Sequence, residues 1–258
     1  MDKFIYKKSA GITALSASFT DFTYKKHAHK EYAMGVTLRG IQHYNLDGSL
    51  QLSYPKAVML FNPEQAHDGM AHDEEGLDYV MLYIEPQLLL EVIEKKDIVR
   101  FSTPIVYDYR LQQKILSLSN AILSEKDEAL VSELLLSLTD SLVQTNLSTD
   151  YKKDNVLIRK AKDMLHSNLE NVLKLDEICK EFNLSKFQFI RLFKAHTGIS
   201  PYQYFLNSKI ERAKQLIEKN GDIYSAVAEC GFVDLTHLNK HFKRVYGTTA
   251  FEYMSHLN

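Results

Sequence analysis

Phe189-Ile190-Arg191-Leu192-Phe193-Lys194 and Leu238-Asn239-Lys240-His241-Phe242-Lys243 are two versions of one pattern, offset by 49 residues. At that offset Phe193 meets Phe242, Lys194 meets Lys243, Gly198 meets Gly247 and Tyr204 meets Tyr253. Upstream the offset is 48: Leu175 meets Ile223, Asn183 meets Gly231 and Leu184 meets Phe232. One residue has been added after the turn of the second copy. A repeat of this length marks a repeated supersecondary unit.

Each copy reads as short helix, tight turn, longer helix. In the first, Leu175–Phe182 is the short helix and Asn183 takes the turn, where Asn tolerates left-handed backbone. Ser185 then caps a helix running to about His196. Phe189, Leu192 and Phe193 point inward, while Lys186, Phe187, Gln188, Ile190, Arg191 and Lys194 fall on other faces. In the second, Ile223–Cys230 is the short helix, Gly231 the turn and Asp234 the cap for a helix to Tyr246. Leu238, His241 and Phe242 point inward there, leaving Thr236, His237, Asn239, Lys240 and Lys243 outside. A polar-faced second helix after a tight turn is the geometry that offers side chains to the major groove. Pro201 to Lys219 reads as one helix of about 27 Å, long enough to hold two such helices about one DNA turn apart.

Charge is divided along the chain. Residues 1–150 carry 14 Lys+Arg against 21 Asp+Glu, and residues 151–258 carry 17 against 12. The basic half is the one that holds the repeat, as phosphate contact requires.

Residues from about 154 to 257 resemble the DNA-binding domain of the AraC/XylS family of bacterial regulators. The resemblance rests on Ser185 with Arg191-Leu192-Phe193-Lys194, Gly198-Ile199-Ser200-Pro201 with Tyr204, Lys209-Ile210 with Ala213, Gly231-Phe232, and His241-Phe242-Lys243 with Gly247 and Tyr253. It implies two recognition helices, 185–196 and 234–246, in successive major-groove segments of double-stranded promoter DNA. Carried over, the DNA-binding residues are Lys186, Phe187, Gln188, Ile190, Arg191 and Lys194, then Thr236, His237, Lys240 and Lys243. It also implies a small-molecule effector, a homodimer and contact with RNA polymerase. Val233, Ala226-Val227 and Ala250 depart from the family pattern, so a less ordered turn is expected in the second unit, and the first unit is expected to supply more of the specific binding.

From residue 4 to 108 the pattern is short and alternating, as in Ala57-Val58-Met59-Leu60-Phe61 and Tyr79-Val80-Met81-Leu82-Tyr83-Ile84, with turns at Leu46-Asp47-Gly48-Ser49 and His67-Asp68-Gly69. Such strands suit a sandwich or small barrel. His27-Ala28-His29 and Pro63-Glu64-Gln65-Ala66-His67 look like the two half-motifs of a cupin barrel. That likeness implies an effector pocket around His27, His29 and His67. Tyr79, Met81 and Tyr83 share one strand face and join the candidate lining. Cupin enzymes add a Glu to three His, but Ala33 stands at its place and Glu31 is out of step. The residues thus favour a pocket without metal or cofactor and argue against an enzyme, although three imidazoles can still bind zinc or another transition metal.

After Pro104 the period becomes helical. Leu111, Ile115, Leu118 and Ile122 form one stripe, and Leu130, Leu134, Leu138 and Leu142 a second, with Val131, Leu135 and Leu136 adding a further face. The pair either packs only on the strands or also forms a dimer interface. The expected fold is α+β in two domains: a cupin-like barrel over 1–108, a helical pair over 109–147, a linker over 148–153, and an all-α domain over 154–258. No apolar run approaches the ~20 residues of a membrane helix, and no signal peptide is legible. Two cysteines, Cys179 and Cys230, sit in apolar helical patterns. They suit buried thiols of a cytoplasmic protein rather than a disulfide or zinc framework.

Overall fold

A computed structural model describes residues 2–94, 99–145, 147–148 and 155–257. Residues 1–23 and 29–150 group into one compact unit, and residues 24–28 group with 151–256 into another.

The first unit is built from antiparallel strands and two long helices. Strands β1 (Lys3–Ser9), β2 (Ile12–Phe19), β4 (Tyr32–Arg39), β7 (Val58–Phe61), β9 (Leu77–Ile84) and β11 (Ile105–Val106) form a six-stranded sheet in the order β1-β2-β9-β4-β7-β11. Strands β3 (Thr23–His27), β8 (His67–Ala71), β5 (Gln42–Leu46) and β6 (Ser49–Ser53) form a four-stranded sheet in the order β3-β8-β5-β6. A short helix α1 (Pro86–Val92) follows β9. Helices α2 (Tyr109–Leu123) and α3 (Glu128–Thr145) form a hairpin, with the Asp108 carboxylate capping α2 through the Leu111 N–H at 3.0 Å.

The expected cupin-like barrel is not what the strands make. Among the described residues each sheet is open, running from one edge strand to another, and neither closes on itself. The reason lies in which faces are buried. Alternation divides each central strand between two apolar neighbours. Val80, Leu82 and Ile84 of β9, Met34 and Val36 of β4, and Val58 and Leu60 of β7 pack with Leu111, Ile115, Leu118 and Ile122 of α2 and Val131, Leu135, Leu138 and Leu142 of α3. The opposite face turns to the smaller sheet, where Phe61 lies 5.1 Å from Tyr44 and Thr37 shares a 2.7 Å hydrogen bond with Ser53. The six-stranded sheet is therefore the middle of three layers. Strands apolar on both faces, such as Val58-Met59-Leu60-Phe61, are the signature of that middle position. The α3 stripe also differs by one step: Val131 and Leu135 are buried, whereas Leu130 and Leu136 are exposed.

Of the segment expected as linker, only Ser148 is among the described residues; Leu147–Ser148 (β12) pairs antiparallel with Arg100–Phe101 (β10).

The second unit is helical throughout: α4 (Val156–His166), α5 (Leu175–Glu181), α6 (Lys186–Thr197), α7 (Pro201–Asn220), α8 (Ile223–Glu229), α9 (Leu235–Tyr246) and α10 (Ala250–Leu257). Asn183 adopts φ +51° and Gly231 φ +60° at the two turns. Gly231 is required by space as well, because a Cβ there would lie 2.1 Å from the Glu170 carbonyl oxygen. Both cysteines are buried and unbridged, and burial pushes the Cys230 thiol up to about 11. Among the described residues, no helix is long and apolar enough to cross a membrane.

Candidate nucleic-acid interface

The two units of the repeat are built by the same local devices. Ser185 Oγ accepts from the Gln188 N–H at 3.3 Å, and Gln188 Oε1 accepts from the Ser185 N–H at 2.9 Å, closing a capping box on α6. In α9, Asp234 accepts from the His237 N–H at 2.7 Å, and His237 Nδ1 accepts from the Val233 N–H at 3.4 Å. The turn before α9, expected to be less ordered, is thus capped at both ends of the same short stretch. Both helices stop at a left-handed glycine, Gly198 and Gly247, each at φ +76°. Ser185→Ala is expected to cost about 1 kcal/mol of stability, read by denaturation of the purified protein.

Aromatic anchors repeat as well. Phe193 meets Tyr204 at 5.4 Å between ring centroids, and Phe242 meets Tyr253 at 5.5 Å. Phe189, Phe193, Leu238 and Phe242 are fully buried, so the faces of α6 and α9 turned away from them are fixed. Leu192 and His241, read as inward, are half-buried.

The outer faces carry the sequence-derived candidates. Lys186, Phe187, Gln188, Arg191 and Lys194 are exposed on α6, with Ile190 half-buried; Thr236, Lys240 and Lys243 are exposed on α9, with His237 half-buried. Three candidates are already engaged. Gln188 spends its amide oxygen on the capping box, so it lacks the paired donor and acceptor that adenine recognition uses. His237 accepts a backbone N–H in the corresponding place. The Lys186 ammonium lies 2.7 Å from Asp176, whose carboxylate raises its pKa. That pair is exposed and screened by solvent, so a phosphate can replace the carboxylate. The Ser185-Lys186-Phe187-Gln188 spacing is itself a capping-box signature, and it was available to assign Gln188 to the helix end.

Helix α7, about 30 Å long at 1.5 Å per residue, runs between the two units. Sequence reading missed the polar network on it. Glu211, Lys214 and Glu218 stand at successive turns. The Lys214 ammonium lies 3.8 Å from Glu211 and 3.7 Å from Glu218. Tyr246 donates to Glu211 and Tyr253 to Glu218, both at 2.7 Å. The second unit is thereby tied to α7 through charged groups, whereas in the first the Tyr204 hydroxyl meets His166 Nε2 at 3.1 Å on α4. Lys209, its pKa lowered by burial, donates to the Gly231 carbonyl at 3.4 Å.

His241 is held below the ordinary histidine value, first by burial and then by the charges of His237, Arg244 and Lys240. A depressed pKa means that its stabilising neutral form is complete above the ordinary value and is lost as pH falls through the depressed one. The native protein is therefore expected to lose stability on acidification in that range, and His241→Gln to lose less. Equal pH slopes for the two would refute this.

Ligand atoms of His27, His29 and His67 lie within 4.8 Å of one another, and all three residues are buried. Tyr83 joins them edge-on to His29 at 5.4 Å. Tyr79 and Met81 share Tyr83's strand face but make other contacts: Tyr79 meets Phe19 at 6.2 Å, and Met81 fills the space over Gly35.

Comparison with known proteins accounts for both units. The family described as AraC-like ligand binding domain matches residues 9–139, about half of the chain, and a helix-turn-helix domain family matches residues 178–256. The chain belongs to the AraC family of transcription regulators. This regulator is 26% identical over 239 residues to the probable transcriptional regulator LumQ of Photobacterium leiognathi, covering 90% of this chain and 91% of LumQ. It is 23% identical over 223 residues to the HTH-type transcriptional regulator YbfI of Bacillus subtilis, covering 83% and 81%. In fold it is similar to fatty-acid-bound ToxT of Vibrio cholerae, with a TM-score of 0.63, 98% of each chain covered and 13% identity. The AraC-family protein is a sequence-specific DNA-binding regulator acting through its tandem helix-turn-helix units, in a family of regulators rather than of enzymes. Its first unit is of the AraC ligand-binding type, which corrects the expectation of a closed cupin barrel.

Proposed function

We propose that α6 and α9 enter successive major-groove segments on one face of a promoter. Arg191 reads bases in the first segment, Phe187 and Ile190 contact thymine methyls, and Thr236 and Lys240 act in the second. Lys186, Lys194 and Lys243 hold phosphates, while Gln188 and His237 order the helix starts. The observation that carries this reading is the pair of helices anchored by matching buried aromatics, each capped at the start, closed by glycine and presenting cations outward.

The first unit binds a small-molecule effector, with His27, His29, His67 and Tyr83 at its polar end and Met81 and Tyr79 further along the same strand. Effector binding favours one state of the regulator over another and so alters DNA affinity. Two copies associate through α2 and α3, where Leu130 and Leu136 are exposed, and promoter-bound protein contacts RNA polymerase.

Selection of bound fragments from genomic DNA, followed by a salt titration on the recovered site, tests the DNA reading. The three phosphate-holding lysines, with Lys240 as a fourth cation, give log K falling with log salt at a slope of about −3 to −4. A slope near zero, or no enriched fragment, would refute it.

A further inference from the structure

The geometry points to a lock that sets the spacing at which the two recognition helices meet DNA, with Gly231 and Lys209 as its positioning residues. Helix α7 joins the two helix-turn-helix units. Its Tyr204 packs on Phe193 of the first, while its Glu211 and Glu218 accept hydrogen bonds from Tyr246 and Tyr253 of the second. A joint through one helix alone lets the second helix-turn-helix rock about any bend in that helix. A contact away from the α7 axis removes that freedom.

Gly231 makes such a contact. It forms the turn between α8 and α9, and it meets the backbone of Glu170, in the loop between α4 and α5 that leads into the first helix-turn-helix. A Cβ added at Gly231 would lie 2.1 Å from the Glu170 carbonyl oxygen and 2.8 Å from the carbonyl carbon. The Gly231 Cα is then no more than about 3.6 Å from that oxygen, within reach of a Cα–H···O contact. Left-handed backbone is not by itself the reason for the glycine. The equivalent turn residue, Asn183, takes φ +51° against φ +60° at Gly231, yet it is exposed and accommodates a side chain. What sets position 231 apart is the backbone facing it. Lys209 adds a third point. It is buried in the middle of α7, with its ammonium 5.0 Å from the centre of the Phe205 ring, and it donates to the Gly231 carbonyl at 3.4 Å. The loop before α5, the middle of α7 and the turn before α9 therefore meet at one place. One base pair of DNA advances by about 3.4 Å and turns by about 35°, so a loose joint would accept neighbouring spacings of the two contacted segments. A joint clamped at three elements rejects them. This inference rests on the reading that α6 and α9 both enter the groove.

The test is competition binding of full-length protein to the selected promoter site and to duplexes with one or two base pairs inserted midway between its two contacted segments. Native protein is expected to bind the one-pair insertion about tenfold more weakly than the original site, as much as a mismatched pair costs. Gly231→Asn keeps a residue suited to left-handed backbone but adds a Cβ, so the turn and the Glu170 loop must part by about 1 Å or more. Lys209→Met removes the ammonium while keeping an unbranched side chain on α7, and it carries the test if the glycine variant does not fold. Both variants should bring the ratio of affinities close to one, with far-UV circular dichroism unchanged. Asn183→Gly, in the equivalent turn of the first helix-turn-helix, should keep the native ratio. Undiminished spacing discrimination in the folded variants would overturn the lock. So would its absence in native protein that still prefers the selected site over scrambled DNA, which leaves the DNA reading intact. Native protein that binds the selected site no better than scrambled DNA would overturn the DNA reading, and the lock with it.

Discussion

Arg191→Ala lowers affinity for the selected promoter site by about 1–3 kcal/mol, roughly 5- to 150-fold, and flattens preference at the base pairs it reads. The expectation follows from its place on α6. Phe189 and Phe193, on either side in sequence, are fully buried, so the exposed Arg191 has only the outward face to occupy. Lys240 takes the equivalent place on α9, because Leu238 and Phe242 bracket it in the same way. As a lysine it offers a point charge rather than a planar fork. Lys240→Ala is therefore expected to weaken binding more evenly across sequences and to reduce the salt slope by about one. The residues sit on different helices with no shared partner among the described contacts, so their effects should add in the double variant. Competition binding against specific and scrambled duplexes reads all three quantities. Unchanged affinity in the double variant would mean that these helices do not face the groove.

The second large effect concerns stability. Lys214→Met leaves Glu211 and Glu218, both largely buried on α7, without the ammonium between them. Removing one partner of a buried ionic group costs about 3–5 kcal/mol. Tyr253→Phe deletes a single hydroxyl bond to Glu218 and should cost less, about 1.5–3 kcal/mol. Replacing all three charges together, as Glu211→Gln, Lys214→Met and Glu218→Gln, should recover much of the loss, because no uncompensated charge remains. Chemical denaturation of the four proteins gives the order. If Lys214→Met proves milder than Tyr253→Phe, the network does not hold the second unit to α7.

Much of the helical unit was legible because its information is local. Asn183 and Gly231 at the turns, Ser185 and Asp234 at the caps, and Gly198 and Gly247 at the ends each state a backbone requirement within a few residues. Repetition at offsets of 48 and 49 then separates them from chance. The α7 network was not legible, since Tyr246 and Glu211 are 35 residues apart and nothing local announces a buried glutamate. The barrel expectation failed for a related reason. Alternation shows that a strand has two faces, but not whether the second face meets a sheet or a pair of helices. Only the doubly apolar strands hinted that α2 and α3 would cover one side. The histidines were readable as a group, whereas Tyr79 and Met81 share their strand face without sharing their contacts.

The central claim is that two recognition helices, α6 and α9, act together on one face of DNA. Hydroxyl-radical footprinting of the selected promoter fragment with the native protein tests it most directly. Two protected patches on the same face, with centres about 10 base pairs apart, are the expected result, and the patch nearer the α9 contacts should fade first in Lys240→Ala. A single patch, or two patches on opposite faces, would contradict it.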